Sequence, residues 1–292
     1  MFNNEIKQTM AELAVNNEFT LLKKEIEKVI EQNQCTCVNC KGSCNYSASV
    51  RALKFIDSVI DNNIAAEFKI FTIGNSKLPF LSYSTLPGVT CPGASDCLKW
   101  CYSFKAWRYA TAFYRQLQNT ILENIAFDII EKELNTILNQ ANFKNRQIDF
   151  RLYVDGDFKN LFTMINWFNL LKNFSRLSAY GYSKSLHIFK EYLRQGYQVP
   201  RNYVLNGSQG GKYDSMFNSF KKYSFYRSTF SAYNFKTKIK ATELTKDHRK
   251  EIRSAFPGAF ICPGLCGSCT AIGHACGNNT VFKNIPIVIP AH

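Results

Sequence analysis

Eleven cysteines fall into three windows of this sequence and nowhere else: Cys35, Cys37, Cys40 and Cys44; Cys91, Cys97 and Cys101; Cys262, Cys266, Cys269 and Cys276. Cysteines that serve as small core hydrophobes scatter along strands and helices. These sit among Gly, Pro, Ser and Asn, in segments that turn, and thiolates gathered by turning loops hold metal. Tetrahedral zinc commonly uses two close pairs separated by a longer span. Iron–sulfur clusters are larger and are held by compact runs, often with a proline beside a ligand. The last window, ICPGLCGSCTAIGHAC, has intervals of three, two and six residues, and Pro263 directly follows Cys262. That pattern fits a [4Fe-4S] cluster better than zinc. His274 lies inside it and, with four thiols already present, is expected to neighbour the centre rather than ligate it. The middle window, TCPGASDCLKWCYS, supplies three thiols. Its fourth corner would come either from the C-terminal group, giving a structural cluster, or from a substrate or cofactor, giving a reactive one. One or two clusters are therefore expected. The first window, CTCVNCKGSC, would hold Zn2+, a further cluster, or nothing until a partner supplies ligands.

The elements that must position these windows follow from periodicity. Residues 5–33 repeat apolar positions at helical spacing, as in Leu22, Ile26, Val29 and Ile30, and a second helix is expected from Ser47 to about Asn62. Two strands, KIFTIGN and FLSYS, open the main domain near Phe68, and residues 104–138 read as two helices. Strand and helix then alternate: IDFRLYV, FKNLFTMINWFNLLKNF, LSAYGYS, SLHIFKEYLRQG, NYVLNG, KYDSMFNSFKKY and STFSAYNF. Such alternation predicts an α/β fold with a parallel sheet. A full or incomplete parallel (βα) barrel is preferred to an open sheet. A small helical, cysteine-containing N-terminal extension, residues 1–66, would precede an α/β iron–sulfur domain, residues 67–292. Functional groups in such sheets lie at the carboxyl ends of strands, here VDGDF, GYSKS and NGSQGG.

Charge adds a second theme. The net charge is +14, and residues 151–253 carry 19 Lys and Arg against 7 Asp and Glu, a net +12. A field of that kind attracts polyanions, of which nucleic acid is the commonest. The stretch KKYSFYRSTFSAYNFKTKIK interleaves cations with aromatics, as single-strand binding requires; an amphipathic strand pair with its aromatics in the core is the equal alternative. Lys184, Lys221, Lys222 and Arg227 are the candidate nucleic-acid contacts. Asp157 would either help to bind a cofactor or cap the following helix, and NGSQGGK reads as a turn sooner than a phosphate cradle. His187 reads as structural. There is no N-terminal apolar segment of the secretory type and no run of 18 apolar residues, so a cytoplasmic protein without membrane contact is expected. No protein partner is indicated, and no Ser/His/Asp triad, paired catalytic carboxylates or HExxH motif is present.

The segments GNSKLPFLSYSTLPGVTCPGASDCLKWCYS, RLYVDGDF and LSAYGYSKS, followed by the cysteine-rich tail, together resemble the phage gene product 88 family of phages and mobile elements. The resemblance spans roughly residues 70–280 and leaves out the first cysteine window. It implies a host bacterium's cytoplasm. The cysteine–tyrosine stretch is also distantly similar to radical S-adenosylmethionine proteins, in which three cysteines bind a [4Fe-4S] cluster that S-adenosylmethionine completes. That likeness implies an open-site enzyme with Cys91, Cys97 and Cys101 as ligands. Gly156 and Asp157 would then stand where the methionine amine is held, with Tyr182 and Lys184 on the neighbouring strand end. The middle window departs from the usual radical-enzyme spacing, which leaves three functions open: a structural or redox-sensing iron–sulfur protein associated with nucleic acid, a radical enzyme, or a zinc-stabilised structural protein.

Overall fold

Asn16 and Asn17 divide the helical N-terminus where apolar periodicity alone runs on unbroken. Asn17 takes a left-handed conformation with φ of 60°, so the expected single helix is two, α1 (Asn4–Val15) and α2 (Phe19–Gln32). A computed structural model describes residues 2–33, 44–267 and 269–291. Cys35, Cys37 and Cys40, with the zinc or cluster expected there, lie outside the described residues. The chain forms two units.

The first unit comprises Met1–Phe71, Ser84–Thr90 and Cys101–Lys144, so it takes in more than the N-terminal extension. Besides α1 and α2 it contains α3 (Asn45–Ile60), α4 (Ala110–Ile125) and α5 (Phe127–Leu138). Cys44 caps α3, its sulfur accepting the Ser47 N–H at 3.4 Å. The buried polar face of α4 serves backbone that has no sheet partner. Gln118 accepts the N–H groups of Glu67 and Phe68 and donates to the Phe68 carbonyl. Asn119 donates to the carbonyls of Ile70 and Ser84, and Glu133 of α5 accepts from Ile70. The expected strand KIFTIGN shrinks to two residues for that reason: side chains satisfy the rest of its backbone.

The second unit comprises Thr72–Tyr83, Cys91–Trp100 and Asn145–His292 and holds the whole sheet. Its strands are β1 (Thr72–Ile73), β2 (Leu81–Ser82), β3 (Ile148–Leu152), β4 (Leu177–Ser183), β5 (Tyr203–Ser208), β6 (Tyr226–Tyr233), β7 (Phe260–Ile261) and β8 (Ile287–Pro290). Their order is β1-β2-β3-β4-β5-β6-β8-β7, antiparallel at β1-β2 and parallel elsewhere. The α/β fold and parallel sheet are as expected, but the barrel is not formed: the sheet is open. Its outermost strands, β1 and β7, are two residues long and each pairs on one side only. β8 returns to lie between β6 and β7, which breaks the sequential order that closure would continue.

Helices α6 (Leu161–Asn173), α7 (Leu186–Arg194), the single turn α8 (Phe217–Phe220) and α9 (Lys246–Ala255) occupy the crossovers after β3, β4, β5 and β6. One face of the central strands packs on α6 and α7. Phe150 meets Trp167 at 5.9 Å between ring centroids, and Tyr203 meets Phe168 at 5.0 Å and Phe189 at 6.3 Å. Alternation along each strand therefore assigns Arg151, Tyr180, Tyr182 and Asn206 to the opposite face.

Candidate metal centre

That opposite face is covered by the C-terminal cysteine segment. Leu78, Phe80, Tyr180, Cys276 and Ile287 form one apolar cluster, and Cys262, Cys266, Cys269, Tyr182 and Phe230 pack against it. Each cysteine is placed by a turn. Cys262 leaves β7 with its N–H donating to the Val288 carbonyl at 2.8 Å. The chain then turns through Gly264, φ 83°, which returns its own N–H to the Cys262 sulfur at 3.4 Å. The Cys266 N–H donates to the Lys77 carbonyl at 3.0 Å. Gly267, φ 91°, follows against the Pro79 ring, which stands 2.9 Å from where a Cβ would be. A Thr270–Gly273 turn brings the Ala275 N–H to 3.4 Å from the Cys269 sulfur. Cys276 is held from the sheet side, where the Asn206 amide donates to its carbonyl at 3.0 Å and the Tyr182 hydroxyl donates to its sulfur.

Three of the thiols, Cys262, Cys266 and Cys276, are pushed upward. Burial pushes Cys262 up to about 12, and its three companion cysteines, Cys276, Cys266 and Cys269, push the same way. Burial raises Cys276 to about 11, against the pull of the Tyr182 hydrogen bond and the guanidinium of Arg227. Cys266 is raised by burial and crowding by Cys269, with Arg151 opposing. Thiolates that destabilise one another are the donor set that a cation relieves. Among the described residues, no three or more His, Cys, Asp or Glu side chains stand in an array ready for a single metal ion. His274 is engaged elsewhere. Its Nε2 lies 3.3 Å from Asp149 Oδ1, its Nδ1 accepts the Gly277 N–H at 3.1 Å, and its ring packs on Phe80 and Tyr180.

The other expected residues fall in different surroundings. Cys91 and Cys97 belong to the second unit and Cys101 to the first. The loop after Cys91 seats on the strand ends: Ala94 pairs with Gly211, and a Cβ on Gly93 would lie 2.1 Å from the Lys184 carbonyl oxygen, which reserves the position for glycine. β3 ends in a sharp turn, with Tyr153 at φ 58° and Gly156 at φ 85°. Asp157 beyond it is buried. One oxygen accepts the Phe158 N–H at 2.8 Å; the other accepts the N–H groups of Lys184 and Ser185 and the Ser185 hydroxyl, at 2.9, 3.2 and 2.9 Å. Burial raises its pKa, while these donors and Ser183 oppose the shift. The cap of α6 is Asn160, in a capping box with Thr163, so Asp157 does not cap the following helix. Tyr182, expected near a cofactor, meets Cys276 instead.

The nucleic-acid candidates divide. Lys221 and Lys222 are exposed, with Lys222 Nζ 5.2 Å from the Tyr223 ring centroid. Lys184 turns its ammonium onto Ser208 Oγ at 2.5 Å and the Gln209 carbonyl at 2.6 Å. Arg227 is a correction. Its side chain is wholly buried, 0% exposed, on the cysteine-covered face, where no polyanion reaches. The aromatics beside it are largely core, with Phe220, Phe225 and Tyr226 packing together and Tyr223 stacked on Phe225. NGSQGGK is a turn whose Gly210 and Gly211 N–H groups donate to Asp214 at 2.8 and 3.0 Å. Sequence reasoning missed Arg151, Tyr180 and Asn206. The signal was available, because a parallel strand covered on both faces should be apolar throughout, and IDFRL and YVLNGS are not.

No helix among the described residues is long and apolar enough to cross a membrane. The model of a family described as Gene product 88 matches residues 57–277 of the chain. No curated protein and no solved structure matches it.

Proposed function

Because the chain belongs to the Gene product 88 family and gathers four turn-borne thiols on one sheet face, we propose that it is an iron–sulfur protein whose Cys262, Cys266, Cys269 and Cys276 hold a [4Fe-4S] cluster. The single observation that carries this reading is the convergence of those four side chains with backbone N–H groups already aimed at two of their sulfurs. Amide hydrogen bonds to sulfur are among the features that tune such clusters. A zinc site needs four sulfurs about 2.3 Å from one ion, whereas a cluster is held by thiolates spaced around a larger inorganic core. When bound, the cluster would supply one-electron redox chemistry or a structural cross-link. The chain's own residues position it: Gly264 and Gly267 turn the loop, and Tyr182 and Asn206 hold Cys276.

Anaerobic purification followed by iron, acid-labile sulfide and zinc analysis tests the proposal. Iron and sulfide in equal amounts support it; zinc alone selects the structural alternative. Electron paramagnetic resonance of the reduced protein with and without S-adenosylmethionine addresses the open-site enzyme at Cys91, Cys97 and Cys101. An unchanged spectrum without 5′-deoxyadenosine rejects that enzyme.

Nucleic-acid association is the second part of the proposal. Its support is a basic ridge: Lys246, Arg249, Lys250 and Arg253 recur at helical spacing on α9, Arg249 half-buried and the other three exposed, and Ile252 buries the helix's inner side. None of the four forms a salt bridge among the described residues. Binding to a single-stranded oligonucleotide should weaken steeply between 50 and 200 mM salt, by about 10-fold or more for each two to three phosphates neutralised. Charge reversal at Lys246, Lys250 and Arg253, or at Lys221 and Lys222, should flatten that slope. Binding indifferent to both salt and charge reversal would remove nucleic acid from the proposal.

A further inference from the structure

Arg227 is a permanent positive charge with no surface. Its Nε donates to Asn206 Oδ1 at 2.5 Å, one terminal nitrogen to the carbonyls of Ile285 and Phe282 at 2.6 and 3.2 Å, and the other to the Thr229 carbonyl at 3.4 Å. All of these acceptors are neutral, and among the described residues no carboxylate forms a salt bridge with it. The ionisable groups that it faces are Cys276, Tyr182 and Tyr226. A second guanidinium, Arg151 on β3, lies over the Tyr182 ring at 4.8 Å on the same face and acts on Cys266 and Cys276.

Guanidinium groups do not deprotonate in proteins, and a buried charge without a counter-charge is costly. With four neutral thiols, Arg227 would therefore be a buried positive charge held by neutral acceptors alone. Four thiolates around a [4Fe-4S]2+ core sum to two negative charges, which supply Arg227 with the counter-charge that its neutral acceptors do not. One-electron reduction adds a third negative charge beside them. The nearby cations then favour the reduced state more than the oxidised one.

We propose that Arg227, oriented by Asn206, is a positioning residue that provides the built-in counter-charge of an anionic iron–sulfur centre and raises its reduction potential. The inference rests on the iron–sulfur reading above and assigns that centre's charge and redox poise to named residues. The same Asn206 side chain accepts from Arg227 and donates to the Cys276 carbonyl, so the cation and one ligand are held in register.

The test is an anaerobic potentiometric titration of the full chain, with dithionite and mediators as electron source, followed by electron paramagnetic resonance. The proteins compared are wild type, Arg227→Met and Arg227→Lys. Arg227→Met is expected to move the midpoint negative, so that at the wild-type midpoint its ratio of reduced to oxidised centre falls about tenfold, or 59 mV for a one-electron couple. Arg227→Lys, which keeps the charge, should stay near wild type. If Arg227→Met does not fold, Arg151→Met decides, with a smaller shift of the same sign expected. An Arg227→Met protein with wild-type iron and sulfide and an unmoved midpoint overturns the inference alone, as does an unmoved midpoint in Arg151→Met when that variant decides. A wild-type protein without iron overturns both this inference and the iron–sulfur reading.

Discussion

The double variant Cys262→Ala/Cys276→Ala is expected to lose its iron and sulfide, with content falling at least tenfold below wild type after identical anaerobic preparation. Two thiols, Cys266 and Cys269, would remain on the sheet face, too few to hold a four-iron core. The change should reach the fold as well. Among the described residues, the segment from Cys262 to the start of β8 has one short helical turn, Ala275–Gly277, and otherwise consists of turns fixed by sulfur, glycine and a few side chains. In such a segment ligand binding is folding free energy, of order 10 kcal/mol for small structural metal sites at neutral pH. The variant should therefore become sensitive to limited proteolysis between residues 262 and 285 while α6 and α7 stay protected. Cys44→Ala is the control, since that sulfur is engaged at the cap of α3 and its loss should leave the C-terminal centre loaded. Full iron retention in the double variant would move the centre away from these cysteines.

The turns that place the C-terminal cysteines were legible in the glycines and proline among them, whereas the division of the middle window between the two units was not. LSAYGYS was legible because a buried strand of seven residues between two helices has few other readings, and β4 occupies those residues, Leu177–Ser183. The open sheet was not legible. Alternating strands and helices predict parallel neighbours but say nothing about whether the first and last strands meet. Here the edges are two-residue strands, and β7 and β8 are too short for periodicity to reveal. Arg227 was misread for a more local reason. The register between β5 and β6 pairs Leu205 with Tyr226 and then Asn206 with Ser228, so Arg227 is the extra residue of a bulge. Bulges re-aim side chains, and strict alternation from Tyr226 cannot foresee three successive buried residues, Tyr226, Arg227 and Ser228. The sequence showed a cation among aromatics; the fold made it a core residue.

Asp157→Ala is expected to destabilise the second unit by about 3–5 kcal/mol, because each buried donor left without a partner costs about 1–3 kcal/mol. Three of its partners, the N–H groups of Lys184 and Ser185 and the Ser185 hydroxyl, stand at the entrance to α7, and the fourth, the Phe158 N–H, fixes the turn after β3. One carboxylate thus ties two strand ends to one helix start, where a negative charge also suits the helix dipole. Asn at this position keeps one acceptor oxygen and should recover about half of the loss. The sign of the experiment separates two roles. A carboxylate reserved for a cofactor amine would, once removed, cost ligand affinity and leave the denaturation midpoint nearly unchanged. A carboxylate acting as a bracket costs stability with no ligand present, and its loss couples to that of Ser185. The coupling is measurable by comparing Asp157→Ala, Ser185→Ala and the double variant in urea denaturation: a double-variant loss well below the sum of the single losses follows from the shared hydrogen bond. A loss under about 1 kcal/mol for Asp157→Ala would instead release the side chain for a ligand.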